Sequence, residues 1–118
     1  MQQPPSSLSA EQRKTLNVLG YMFLRMGHFD RAQRIFAAML ALDPGDRWAS
    51  RNLAAIAVQK GDGASALRHL QTALGNEPLS SRDAALHLLR AKALWLEGRK
   101  DEAHRAVDEF MHLSGGKA

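Results

Sequence analysis

Residues 16–44 read LNVLGYMFLRMGHFDRAQRIFAAMLALDP, with apolar and small residues at helical spacing on both sides of a Gly-His pair. Leu16, Leu19, Gly20 and Phe23 share one face of a first helix. Gly27 closes that helix, because glycine accepts the positive φ of a helix C-terminus. Ala32, Ile35, Phe36, Met39 and Leu40 then form one stripe on a second helix and leave Asp30, Arg31, Gln33 and Arg34 to solvent. Pro44 cannot continue the second helix and ends it. Small residues at Gly20 and Ala32 allow two antiparallel helices to approach closely, while Phe23, Phe29 and Phe36 fill the space between them. These residues specify a helical hairpin.

The hairpin recurs. Gly61 follows Gly27 by 34 residues and Gly98 follows by a further 37; Ala32, Ala66 and Ala103 keep both spacings. Pro78 lies 34 residues beyond Pro44. The second unit reads Leu53, Ala54, Ala57, Gly61, Ala66, Leu70, Ala73 and Pro78. A third takes a three-residue insertion around Ser81-Arg82-Asp83, then reads Ala91, Leu94, Gly98, Ala103, Val107 and Phe110. A period of this length marks stacked helix pairs, and about three units are the minimum for a stable array.

Six helices are predicted, over about 10–26, 29–42, 46–60, 63–75, 80–97 and 100–113. They form one domain of residues 9–114, with units at about 13–46, 47–80 and 84–114. Residues 1–8 and 115–118 read as flexible ends. Ser9 followed by Gln12 is a capping-box start for the first helix, and Asp46 and Asp62 are placed to cap the third and fourth.

Composition agrees with helices. Ala and Leu supply 36 of the 118 residues, whereas Val, Ile and Thr together supply seven. Strands favour β-branched side chains, so an all-α fold follows. The absence of cysteine excludes disulfides, thiolate metal sites and cysteine nucleophiles. The start of the chain has neither a basic cluster nor an apolar run, and no apolar stretch is long enough to span a bilayer, so a cytoplasmic protein that is not embedded in a membrane is expected. Net charge is +4, from 16 basic and 12 acidic residues, but the basic residues stand singly among acids and apolar residues. Nucleic-acid binders cluster them, so no nucleic-acid partner is expected.

Catalysis finds little support. His28 lies in a turn, and His69, His87, His104 and His112 have no second His one helical turn on. The pairs Asp83/His87 and His104/Asp108 read as surface hydrogen bonds, and a metal site needs three or four convergent ligands. Gly115-Gly116-Lys117 lacks the strand and helix of a phosphate loop. The expectation is a non-enzyme without metal, cofactor or small-molecule substrate.

The anchors Leu16-x2-Leu19-Gly20-x2-Phe23, Ala32-x3-Phe36 and Pro44 resemble the tetratricopeptide repeat. The resemblance implies a superhelix of three helix-turn-helix units whose first helices line a concave groove. In the first helix Leu16, Leu19, Phe23 and Met26 read as the repeat's own packing residues. A second apolar stripe then remains on the first helix of each pair. Projection places Asn17, Tyr21, Leu24 and Arg25 on the groove wall, followed by Trp48, Arg51, Ala55 and Val58, then Leu88, Lys92, Trp95 and Leu96, with Lys14 at the rim. Aromatic anchors with a basic rim suit an extended or helical peptide segment. The Lys–Asn set of the carboxylate-clamp adaptors is missing, although Asn17 and Tyr21 occupy two of its wall places.

Leu19-Gly20-Tyr21, Leu24, Gly27-His28, Arg31-Ala32, Leu40-x-Leu42-x-Pro44 and Pro78-Leu79 are together similar to the small tetratricopeptide chaperones of bacterial type III secretion, in particular the Y-type export chaperones (YscY/SctY class). The likeness covers about residues 12–113, and the insertion near Ser81 departs from it. It implies a cytoplasmic chaperone, meeting the inner membrane only peripherally. Such a chaperone holds a small X-type export protein in a hetero-oligomer and helps deliver it to the export gate protein. Two other readings stay open: a chaperone of the hydrophobic translocators, for which the chain is short, and a general scaffold that self-associates through its groove.

Overall fold

A computed structural model describes residues 8–75 and 83–115. Among them six helices follow one another: α1 (Ala10–Arg25), α2 (Phe29–Leu42), α3 (Arg47–Gln59), α4 (Gly63–Leu74), α5 (Ala84–Leu96) and α6 (Lys100–Leu113). No strand occurs among the described residues. The expected start of the fifth helix at residue 80, the insertion at Ser81-Arg82, and Pro78-Leu79 lie outside them; Asp83 is the residue immediately before α5.

Local chemistry sets the helix ends. The Ser9 hydroxyl accepts from the Gln12 amide (3.0 Å) while the Ser9 amide donates to Gln12 Oε1 (2.9 Å), the reciprocal pair of a capping box. Asp46 accepts from the Ala49 amide at 3.0 Å and Asp62 from the Ser65 amide at 3.1 Å, each satisfying an otherwise orphaned N–H of the first turn. Bonds from the Ser65 hydroxyl and amide hold the Asp62 carboxyl below the usual carboxylate range. Gly27, Gly61 and Gly98 take φ of 80°, 77° and 75°. At all three turns the next amide bonds five residues back: His28 to Phe23 O, Asp62 to Ala57 O and Arg99 to Leu94 O, at 2.8–2.9 Å. This is the Schellman closure, repeated once per unit.

Each hairpin pairs with itself and then with the next: α1 on α2, α3 on α4, α5 on α6, with α2 on α3 and α4 on α5 joining the units. Phe36 and Met39 are fully buried with Ala32, Ala49, Leu53 and Ile56, and Leu16, Phe23, Leu24, Phe29, Ile35 and Leu40 pack around them. Gly20 makes that approach possible. A Cβ there would stand 2.6 Å from the Phe36 ring. Leu8, expected in a flexible end, packs against the same cluster. Gly115, assigned to the tail, takes a positive φ and donates to His112 O in the turn that closes α6. Further along, the cores shrink to alanine-rich groups: Ala54, Leu70, Ala73 and Leu86; Ala57, Ala66 and Ala93; Ala91, Leu94, Ala103 and Ala106.

The array bends. α3 also packs on α5, whereas no comparable contact joins α1 to α3, α2 to α4 or α4 to α6 among the described residues. Crevices of about 410 and 310 Å³ open instead between α2 and α4, lined by Gln33, Ala37, Leu53 and His69 among others. In the second and third units the first helices therefore form the inner row and the second helices the outer one, and repeat register puts α1 in the same row.

Candidate binding surface on the inner helices

Register fixes which side chains face the inner row. Counting back from each turn glycine, the second, sixth, tenth and thirteenth residues fall within about 80° of one another around the helix, given 100° per residue. In α1 these are Arg25, Tyr21, Asn17 and Lys14; in α3 Gln59, Ala55, Arg51 and Trp48; in α5 Leu96, Lys92, Leu88 and Ala85. All are exposed except Asn17 and Ala55, which are half-buried. Tyr21, Trp48, Leu88 and Leu96 are large apolar groups open to solvent.

The wall contains no carboxylate and carries Lys14, Arg25, Arg51 and Lys92. Four basic residues that stand apart in the sequence thus share the register positions of one surface, the basic rim expected from helical projection. Two of them lie over the aromatics: Arg25 Cζ is 6.0 Å from the Tyr21 ring centroid and Arg51 Cζ is 5.8 Å from that of Trp48. Such stacking keeps each ring pinned while its outer face and the guanidinium donors remain available. The surface offers flat apolar contact and anion pairing together.

Three residues assigned to the wall are elsewhere. Leu24 packs into the first core cluster and Val58 into the cluster of Ala57, Ala66 and Ala93. Both stand three residues before the turn glycine, a position rotated toward the next unit. Trp95 holds the same position in α5, and it turns toward α6: its ring meets His104 edge-on (centroids 6.2 Å) and Lys100 Nζ lies 5.3 Å from its centroid. Leu19 and Met26, read as packing residues, are exposed.

The histidine pairs also differ from expectation. His87 is buried, with no hydrogen-bond partner at Nδ1 or Nε2, so it is not a surface partner of Asp83. Burial pushes its pKa down, against Glu109 of α6 and Asp83, which favour the charged form, and with Arg90, which opposes it. His104 packs on Trp95 as described above, where a surface bond to Asp108 was expected. Among the described residues no three His, Asp or Glu side chains converge as metal ligands would. No described helix is long and apolar enough to cross a membrane.

Electrostatics across the first junction are local. Arg13 donates to Asp46 at 2.7 Å and stands 3.6 Å from Asp43. Lys60 bridges Asp30 and Gln33 at 2.6 Å each, and that bond holds the Asp30 carboxyl below its usual range. These contacts tie α1 and α2 to the two ends of α3.

Helical hairpins closed by Schellman turns and stacked with their first helices inward define a protein-binding repeat array. The family model described as tetratricopeptide repeat matches residues 23–86, more than half of the chain, and the chain belongs to that family. No curated protein matches it. Membership carries a protein-interaction module, typically non-catalytic.

Proposed function

We propose that this protein is a chaperone of type III secretion that binds a small X-type export protein along its inner wall and presents it to the inner-membrane export gate. The observation that carries the reading is the wall itself: Tyr21 and Trp48 exposed under Arg25 and Arg51, with Lys14 and Lys92 alongside and no carboxylate among them. An export client held before secretion needs its apolar segments covered, and exposed aromatics do that. Trp, Tyr and Arg are also the residues that most often dominate binding energy at interfaces. The likeness over residues 12–113 to the Y-type chaperones supports the client class and a cytoplasmic site of action. The basic wall favours client segments that carry acidic residues beside their apolar anchors.

Co-expression with an X-type protein tests this. Trp48→Ala should weaken the complex by about 2 kcal/mol or more, roughly thirtyfold, and Tyr21→Asp should abolish co-purification. Helical circular dichroism should stay unchanged in both, because neither ring is part of a core cluster. Full binding by both variants would refute the inner wall as the site.

A further inference from the structure

The middle of the array and its ends use the same register positions in opposite ways. Nine residues after the turn glycine stand Phe36, Leu70 and Val107. The first two are 0% and 1% exposed beneath the helix pair that follows; Val107 is 38% exposed. Four residues later Leu40 and Leu74 pack into the junctions, and Met111 is open. Three before the glycine Leu24 and Val58 are packed, while Trp95 is 54% exposed. At the other end the relation is mirrored. Eight and five residues before the glycine, α3 places Leu53 and Ile56 against the first unit at 5% and 1% exposure. In α1 the same positions hold Leu19 and Met22, at 41% and 51%.

One chain therefore carries both halves of a junction that it already makes twice internally: an unfilled seat on α5 and α6, and an unplaced ridge on α1. We propose that a second copy of this chain docks its α1 on the α5–α6 end of the first, continuing the inter-unit interface from one molecule into the next. Both surfaces are apolar, and the methionines at 22 and 111 can adapt their shape to the new neighbour. The two surfaces differ from each other, so the contact is heterologous: each copy keeps one free end, and assembly runs head to tail instead of stopping at a two-fold dimer. Trp48, on α3, lies on the inner wall away from both ends, so client binding and assembly are separable.

Sedimentation velocity of the full chain over a range of concentrations tests the proposal. The mean mass of the wild type should rise with concentration above the 13.0 kDa of one chain. Met22→Asp and Val107→Asp should each remain at 13.0 kDa, yet an equimolar mixture of the two should reach twice that mass and no more. One variant keeps an intact α5–α6 end and the other an intact α1, so a single junction forms. Leu19→Lys with Met111→Lys provides a second pair should an aspartate variant lose its helical circular dichroism. A wild type that stays monomeric throughout, a mixture that does not associate, or a Val107→Asp protein that still dimerises through α1 alone would each overturn it. Trp48→Ala should assemble like the wild type while losing client, so failure here and failure of the inner-wall reading give different results.

Discussion

The junction between the first and second units is built mainly from large side chains, while the one between the second and third combines leucines with a patch of alanines. Phe36, Met39, Leu53 and Ile56 interlock in the first, with Gly20 recessed to admit the Phe36 ring. In the second, Ala57, Ala66 and Ala93 bring backbones together, and a Cβ on Gly63 would stand 2.6 Å from the Ala93 carbonyl oxygen. One repeat geometry thus tolerates two ways of filling the space. Interlocked side chains make the first junction sensitive to deletion, and close backbones make the second sensitive to addition.

Four measurements break or sharpen that contrast. Phe36→Ala should cost about 3–5 kcal/mol in denaturant unfolding, the largest loss in the chain, because a fully buried ring leaves a cavity beside the recess of Gly20. A loss under 1 kcal/mol would show the first junction to be loosely packed, on the ordinary scale of core truncations (about 2–5 kcal/mol). Ala93→Leu should cost about 1–3 kcal/mol through overpacking, with no comparable penalty for Ala37→Leu on the exposed face of α2. Equal effects at the two sites would remove the case for close backbones.

Capping carries the comparison to smaller energies. Asp46 is buried at the first junction and bound by both the Ala49 amide and Arg13; Asp62, at the start of α4, is exposed. Asp46→Ala should therefore cost about 2 kcal/mol and Asp62→Ala about 0.5–1 kcal/mol. The reverse order would mean that Arg13 contributes nothing. The smallest effect is tied to pH. Burial lowers the His87 pKa in the folded chain, so the unfolded chain takes up that proton first as pH falls below about 6.5. The stability that neutral His87 allows is complete above that pH and is lost as pH falls toward the folded value. His69 shifts in the same direction for the same reason. The midpoint for urea unfolding should drop as pH is lowered from 7 to 5, and less steeply in His87→Leu. Identical slopes would place the dependence elsewhere.

Much of the fold is legible along the chain because its determinants are local. Ser9, Asp46 and Asp62 cap where their side chains can reach an amide three residues on, and Gly27, Gly61 and Gly98 close helices wherever the chain turns. The stripe on α2 reads correctly for the same reason. The surface was legible only in part. Tyr21, Trp48, Arg51, Leu88, Lys92 and Leu96 can be assigned to one wall from helical spacing, but Leu24, Val58 and Trp95 cannot be separated from them. Their position is rotated only modestly from the wall, and whether it is open depends on the unit stacked beside it.

Amino-acid order alone determined the repeat length, the helix pairs, their caps and the pattern of small and aromatic residues that lets each pair close. Tertiary structure decided which of the remaining apolar residues stay bare. Register-equivalent residues such as Leu70 and Val107 have the same local surroundings, and only the presence or absence of a neighbouring helix pair makes one a core residue and the other a surface. Burial is a property of the stack, because it is set by contacts between segments far apart in sequence.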